Sequence, residues 1–214
     1  MACPICAKRK PERYCPAKGE KICAVCCGTE REVTIDCPSD CAYLLAARRY
    51  GDEHRKPVEA DQVPFPDLEF SPDLIHERRP VVSGLGYTLL KFADAQHHPG
   101  GLVDADAIAA LEALAEAYRA LGSGLYYEKP PQAALPHALY GELGKFIQEF
   151  KQQDAERSGF TSVKDREVFY LLVFLLRVGR SRTNSRPRSR AFLDFLRKQF
   201  PKTSTSEAPR IIVP

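Results

Sequence analysis

After residue 41 this sequence has no cysteine: all eight stand in the first 41 of 214 positions, and 173 residues follow without one. Such crowding gives the cysteines one shared local task, a metal or a set of disulfides. No apolar stretch is long enough to cross a bilayer. The run Val168–Leu176 covers nine residues, where a spanning helix needs roughly 20. A glycine-rich phosphate loop, a nucleophile elbow and a His-Glu-x-x-His pattern are all missing, which removes the commonest signatures of nucleotide hydrolysis, acyl transfer and zinc proteolysis. Convincing period-two alternation is absent outside the cysteine-rich stretch, and there is no internal repeat. Met1-Ala2-Cys3 leaves no room for the charged and apolar regions of an export signal, so a cytoplasmic protein is expected.

What is present begins with the cysteine spacing. The chain reads Cys3-Pro-Ile-Cys6, Cys15, Cys23-Ala-Val-Cys26-Cys27-Gly28, then Cys37-Pro-Ser-Asp-Cys41. In a reducing compartment a Cys-x-x-Cys framework holds metal more readily than it oxidises. Two residues between cysteines allow both sulfurs to reach one ion, and Pro4 stiffens the entry to such a turn. Eight thiolates match two tetrahedral four-sulfur zinc sites with none left over. An iron–sulfur cluster, disulfides or free thiols are the alternatives. The two x2-spaced pairs, Cys3/Cys6 and Cys23/Cys26, would make one site. Cys15, Cys27, Cys37 and Cys41 would make the second, in an interleaved, cross-braced or treble-clef-like module over residues 1–56. Cys26 and Cys27 are adjacent and could trade roles. Asp40 stands where the N-cap of a helix beginning near Ala42 is expected, with Cys41 in the first turn.

The string from Cys3 to Leu44 resembles the N-terminal signature of a family of bacterial cysteine-rich proteins that has no assigned activity. Its spacing is also loosely similar to cross-braced zinc fingers of the HIT and MYND kinds, which mostly mediate protein contacts. Both resemblances imply a structural zinc module, and neither supplies a catalytic residue.

Residues 57–70 are rich in proline and acid, and read as an extended linker or a surface-hugging segment. From 71 to 202 the pattern is helical. Ser71-Pro72 is a cap followed by a first-turn proline, opening a short helix to about His76. Pro80 opens a second helix, ending before His97-His98. Ile108, Leu111, Leu114, Tyr118 and Leu121 mark one after Asp104, with Gly122 as its stop. A fourth runs from Leu135 to about Ser158-Gly159, and Thr161 or Ser162 would cap a fifth. In that fifth helix Val168–Leu176 is apolar on every face, as in a central buried helix. An amphipathic helix over about Ser189–Phe200 precedes a tail at 203–214. The fold class expected is therefore mainly α: a small two-zinc cysteine module followed by an all-α bundle.

The formal net charge of +3 conceals a segregation. Residues 57–176 hold 10 basic against 18 acidic side chains, whereas 177–202 hold nine basic residues against Asp194 alone. Eight thiolates and two zinc ions would take the whole chain from +3 to about −1. Arg177, Arg180, Arg182, Arg186, Arg188 and Arg190 thus form a basic hairpin suited to phosphate oxygens, with Lys8, Arg9, Lys10, Arg13, Lys18 and Lys21 near the first knuckles. The competing explanation is that this hairpin packs on the acidic body of its own chain. Within the segment aromatics are scarce, so base stacking is not its main mode.

Other candidates are thin. His97-His98 before Pro-Gly marks a helix end better than a metal site, and His54, 13 residues past Cys41, could replace a cysteine ligand. Tyr126-Tyr127-Glu128 could line a pocket or anchor a loop, and Asp104/Asp106 suit a helix N-terminus. The reading is a zinc-binding, non-catalytic protein that contacts nucleic acid, RNA ahead of DNA. The alternatives are a protein-interaction adaptor and an iron–sulfur or thiol redox sensor.

Overall fold

The computed structural model describes residues 2–55, 63–96 and 100–200. It is mainly helical, with a single two-stranded sheet among the described residues. The N-terminal part holds β1 (Arg13–Cys15), β2 (Glu20–Ile22), α1 (Ala24–Glu30) and α2 (Ala42–Glu53). The strands are antiparallel, with Tyr14 opposite Lys21 and Cys15 opposite Glu20. Gly19, at φ 69°, makes the reversal between them, a conformation open to glycine without steric penalty. Cys3, Cys15, Ile22, Cys23, Cys26 and Ile35 are the small core of this part. With one isoleucine pair and otherwise sulfur, it is too poor in apolar surface to hold residues 2–41 together by burial alone.

The body comprises α3 (Pro72–Glu77), α4 (Arg79–Ala95), α5 (Asp104–Gly122), α6 (Ala134–Ser158), α7 (Asp165–Arg182) and α8 (Ala191–Gln199). As expected from its composition, α7 is central: Val168, Leu171, Leu172, Val173 and Leu176 are fully enclosed. It packs chiefly along α5 and also meets α4 and α8. Gly179 lets α7 come this close, since a Cβ there would lie 3.2 Å from Ile108 and 3.3 Å from Phe192. Gly159 closes α6 in the left-handed conformation, at φ 78°.

Helix starts differ from the sequence expectation in two places. Cys41, not Asp40, is the N-cap residue of α2. The cap of α7 is Lys164 rather than Thr161 or Ser162. There the Glu167 carboxylate accepts from the Lys164 backbone N–H at 3.0 Å, while the Ser162 amide is taken by Asp154 at 2.5 Å. α1 was not evident from the sequence. It is seven residues long and its cap is a thiol, Cys23 Sγ, accepting from the Cys26 N–H at 3.4 Å.

Residues 63–70 lie on the body. Phe65 meets Phe169 edge-on at 5.3 Å, Phe70 meets Phe174 at 6.1 Å, and the Arg177 guanidinium donates to the carbonyls of Pro64, Phe65 and Leu68. His97 and His98, residues 56–62 and the tail at 201–214 lie outside the described residues.

Candidate metal centre and the strap that holds it

Two local devices bring four sulfurs together. In the first, Cys3–Cys6 forms a tight knuckle: the Ala7 N–H bonds to the Cys3 carbonyl at 2.7 Å, and Ala7 itself takes φ 52°. In the second, Cys23 and Cys26 sit at the start of α1, one on its cap and one in its first turn. The hairpin β1–β2 carries the chain from the first knuckle to the second. The result is that the Sγ atoms of Cys3, Cys6, Cys23 and Cys26 all lie within 4.8 Å of one another, with Cys6 and Cys23 at 3.9 Å. Cys3, Cys23 and Cys26 are buried and Cys6 is half-buried.

Backbone dipoles are aimed at these sulfurs. The Cys23 N–H donates to Cys3 Sγ at 3.3 Å. Burial opposes ionisation of the Cys3 thiol, but the N–H groups of Cys23, Cys6 and Ile5 outweigh it and bring its pKa down. The N–H groups of Arg9 and Lys8 lower Cys6 to about 6. Burial, and after it the contacts with the Cys23, Cys6 and Cys3 sulfurs, push Cys26 up to about 12. Four sulfurs this close, part of them favoured as thiolate and one starved of positive charge, are the electrostatic complement of a cation. These four cysteines are therefore close enough to hold a metal ion.

Cys15, Cys27 and Cys37 pack in the same small core. Burial raises the Cys37 thiol, partly offset by the Glu32 backbone N–H, and the neighbouring Cys41, Glu32 and Cys15 raise it further. Among the described residues only the first set of sulfurs gathers within 4.8 Å. His54 stands apart from both sets, at the end of α2, stacked on Tyr50 at 4.0 Å. Tyr126 and Tyr127 are exposed rather than lining a pocket.

The arginine segment is not a free hairpin. Arg177, Arg180 and Arg182 belong to the last turns of α7. Arg177 stacks on Phe70 at 4.6 Å, Arg180 pairs with Glu112 at 3.0 Å, and Arg182 lies over Phe195 at 4.2 Å. Beyond the helix the chain becomes a strap over the cysteine-rich module. Arg186 donates to the carbonyls of Gly28 (3.0 Å) and Arg31 (2.5 Å), closing the C-terminal end of α1. The Arg188 backbone N–H bonds to the Glu32 carbonyl at 2.9 Å, and Arg190 forks onto Asp36 at 2.5 and 3.4 Å. Lys8, Arg9 and Lys10 remain exposed, Lys10 reaching only Glu12 at 3.9 Å.

Two residues that the sequence did not single out, Glu32 and Arg48, carry the junction. Glu32 is 1% exposed, at φ 52°, and its carboxylate accepts from Arg48 (2.8 Å) and Asn184 (2.7 Å). Arg48 also pairs with Asp194 of α8. Asp104, placed at the start of α5, serves another helix: it accepts from Ser189 Oγ at 2.7 Å and from the Phe192 and Leu193 N–H groups at 3.1 and 3.3 Å, capping α8. Asp106 is the residue that caps α5 itself, accepting from the Val103 N–H at 3.2 Å. No helix is long and apolar enough to cross a membrane, among the described residues. No protein-family model, curated protein or solved structure matches the chain.

Proposed function

We propose that this chain is a zinc-binding, non-catalytic protein that contacts nucleic acid through the exposed face of its metal module. Zinc is favoured because the sulfur separations suit it: thiolates about 2.3 Å from a tetrahedral ion stand about 3.8 Å apart, close to the 3.9 Å between Cys6 and Cys23. A second ion would be held by Cys15, Cys27, Cys37 and Cys41, of which Cys15, Cys27 and Cys37 pack in one small core. The resemblance to cysteine-rich bacterial proteins agrees with such a module.

The observation that carries the nucleic-acid reading is the division of labour among the cations. Five of the six arginines at 177–190 have side-chain partners within the chain, whereas Lys8, Arg9, Lys10, Lys18 and Lys21 project from the knuckle and hairpin into solvent. Tyr14, 56% exposed, stands opposite Lys21 on the same sheet. Cations around one accessible ring suit a flexible single strand, whose bases can stack, and this places RNA ahead of duplex DNA. The phosphate contacts assigned to Arg177–Arg190 from sequence pass, in this reading, to Lys8, Arg9 and Lys10 with their neighbours.

The test is a salt titration of binding to a labelled single-stranded RNA of mixed sequence. Replacing Lys8, Arg9 and Lys10 by alanine should flatten the slope of log K against log salt by about 2, at about 0.7 per lost phosphate contact. Arg186→Ala should leave the slope unchanged. Absence of binding at low salt, or a slope indifferent to the triple replacement, refutes the reading. Metal analysis completes it: two colourless zinc ions per chain are expected, and a coloured iron protein would turn attention to redox chemistry. Exposed Leu125, Tyr126, Tyr127 and Phe160 favour the adaptor as a second reading, which a partner pulled down after nuclease treatment would support.

A further inference from the structure

Between the metal module and the helical body lies a cleft of about 990 Å³, walled by α2, the end of α7 and α8. We infer that it is a binding site for a small phosphate-bearing molecule of nucleotide class, separate from the knuckle face.

Charge is the first reason. Seven cationic side chains line the cleft against four carboxylates. Three of those carboxylates are already engaged: Glu32 and Asp194 by Arg48, and Asp52 by Arg55. Only Glu53 is left to face Arg31, Arg49, Arg182 and Lys198, and among the described residues none of these four pairs with a carboxylate. Arg31 also keeps a buried Nε–H without an acceptor. Among the described residues the cleft thus carries a cationic surplus, mainly of guanidinium forks, whose geometry matches phosphate oxygens.

Shape and apolar surface are the second reason. Leu44, Leu45 and Phe195 give the cleft an apolar wall beside its cations. Phe195 already carries the Arg182 guanidinium on one face at 4.2 Å, which fixes both groups at the wall. An apolar wall facing a set of convergent cations, in a cleft between two parts of a chain, is the usual build of a site for a ligand with a flat ring and an anionic tail. The volume is at the upper end for small-molecule sites, leaving room for ring, sugar and phosphates.

The experiment is isothermal titration of the metal-loaded full chain with ATP, inorganic pyrophosphate and citrate. Arg49 and Lys198 are exposed, so Arg49→Ala with Lys198→Ala leaves the fold intact; circular dichroism and metal content verify this. Saturable ATP binding, weakened about ten-fold or more in that double variant and unchanged in Lys8→Ala/Lys10→Ala, is the expected result. ATP binding more tightly than pyrophosphate supports the nucleotide site by adding the Phe195 wall, whereas pyrophosphate binding as tightly as ATP assigns the affinity to the cations alone and overturns the nucleotide class. No saturable binding of either by about 1 mM, equal loss in the two double variants, or citrate matching pyrophosphate overturns it. RNA binding and ATP binding are read separately, so either proposal can fail while the other stands.

Discussion

Glu32→Ala should loosen the cysteine-rich module from the helical body without touching a cysteine. In the folded chain the Glu32 carboxylate is enclosed and accepts two hydrogen bonds, from Arg48 at 2.8 Å and Asn184 at 2.7 Å. Arg48 keeps Asp194, so its charge is halved in compensation rather than abandoned, while the Asn184 amide loses its acceptor. Breaking a buried ion pair from one side costs about 3–5 kcal/mol. The surviving Asp194 pairing puts the expectation at the lower end, about 3 kcal/mol. For a chain of this size that is a fall in Tm of about 6–12 °C. Glu32→Gln keeps shape and one acceptor, so about 1–2 kcal/mol is expected. Combining Glu32→Gln with Arg48→Met should cost less than the two single changes together, because the second removes the charge that the first leaves uncompensated. The assay is urea denaturation followed by circular dichroism, with metal release measured in parallel by a chromogenic chelator. Module and body held by this junction should give faster metal release in Glu32→Ala. A loss within about 0.5 kcal/mol of zero, the size of an ordinary surface change, would refute the junction.

Three further outcomes are expected. Arg186→Ala removes the donor to the Gly28 and Arg31 carbonyls and should cost about 1–3 kcal/mol, with faster metal release and unchanged RNA affinity. Gly84→Ala should destabilise by about 1–3 kcal/mol although alanine is the better helix former, since its Cβ would lie within 3.0 Å of three atoms of the Phe146 ring. Phe146→Leu in the same chain should recover part of that loss. Finally, the Ser162 N–H donates to Asp154 and holds its carboxyl below the usual range. A depressed carboxyl stabilises above its unfolded pKa of about 3.9 and loses that contribution as pH falls through the folded value. Protection of the Ser162 amide, its exchange rate relative to an unstructured peptide at the same pH, should therefore fall as the solution is acidified below about pH 4, and Asp154→Asn should remove that pH dependence of the protection.

Local signals carried the helical body. Ser71-Pro72, the Ile108–Leu121 spacing, Gly159 and the uniformly apolar Val168–Leu176 each declare an element within a few residues of sequence, and the structure has those elements. The cysteine spacing likewise pointed to Cys3, Cys6, Cys23 and Cys26 as one group, because two-residue spacing restricts where a pair of sulfurs can go. Pairings between distant residues left no such mark. Nothing in Arg31-Glu32-Val33 shows that a carboxylate will be buried in a left-handed conformation against residues 48 and 184. Asp104 has the look of an ordinary first-turn acid, yet its partners are Ser189, Phe192 and Leu193. Charge segregation was visible from the sequence. Which guanidinium meets which carbonyl was not, since that depends on how α7 and α8 are set against the module.

The strap over the cysteine-rich module also fixes an order of events during synthesis. Residues 3–26, with the four clustered sulfurs, leave the ribosome well before Asn184, Arg186, Arg190 and Asp194, which hold the module to the body. At about 5–20 residues per second, the intervening stretch takes on the order of ten to thirty seconds to translate. For that interval the module has its sulfurs but not its clamp, and α1 ends on open carbonyls at Gly28 and Arg31. The hairpin, α1 and the sulfur cluster are local to the nascent N-terminal part, whereas docking follows only once the last two helices exist.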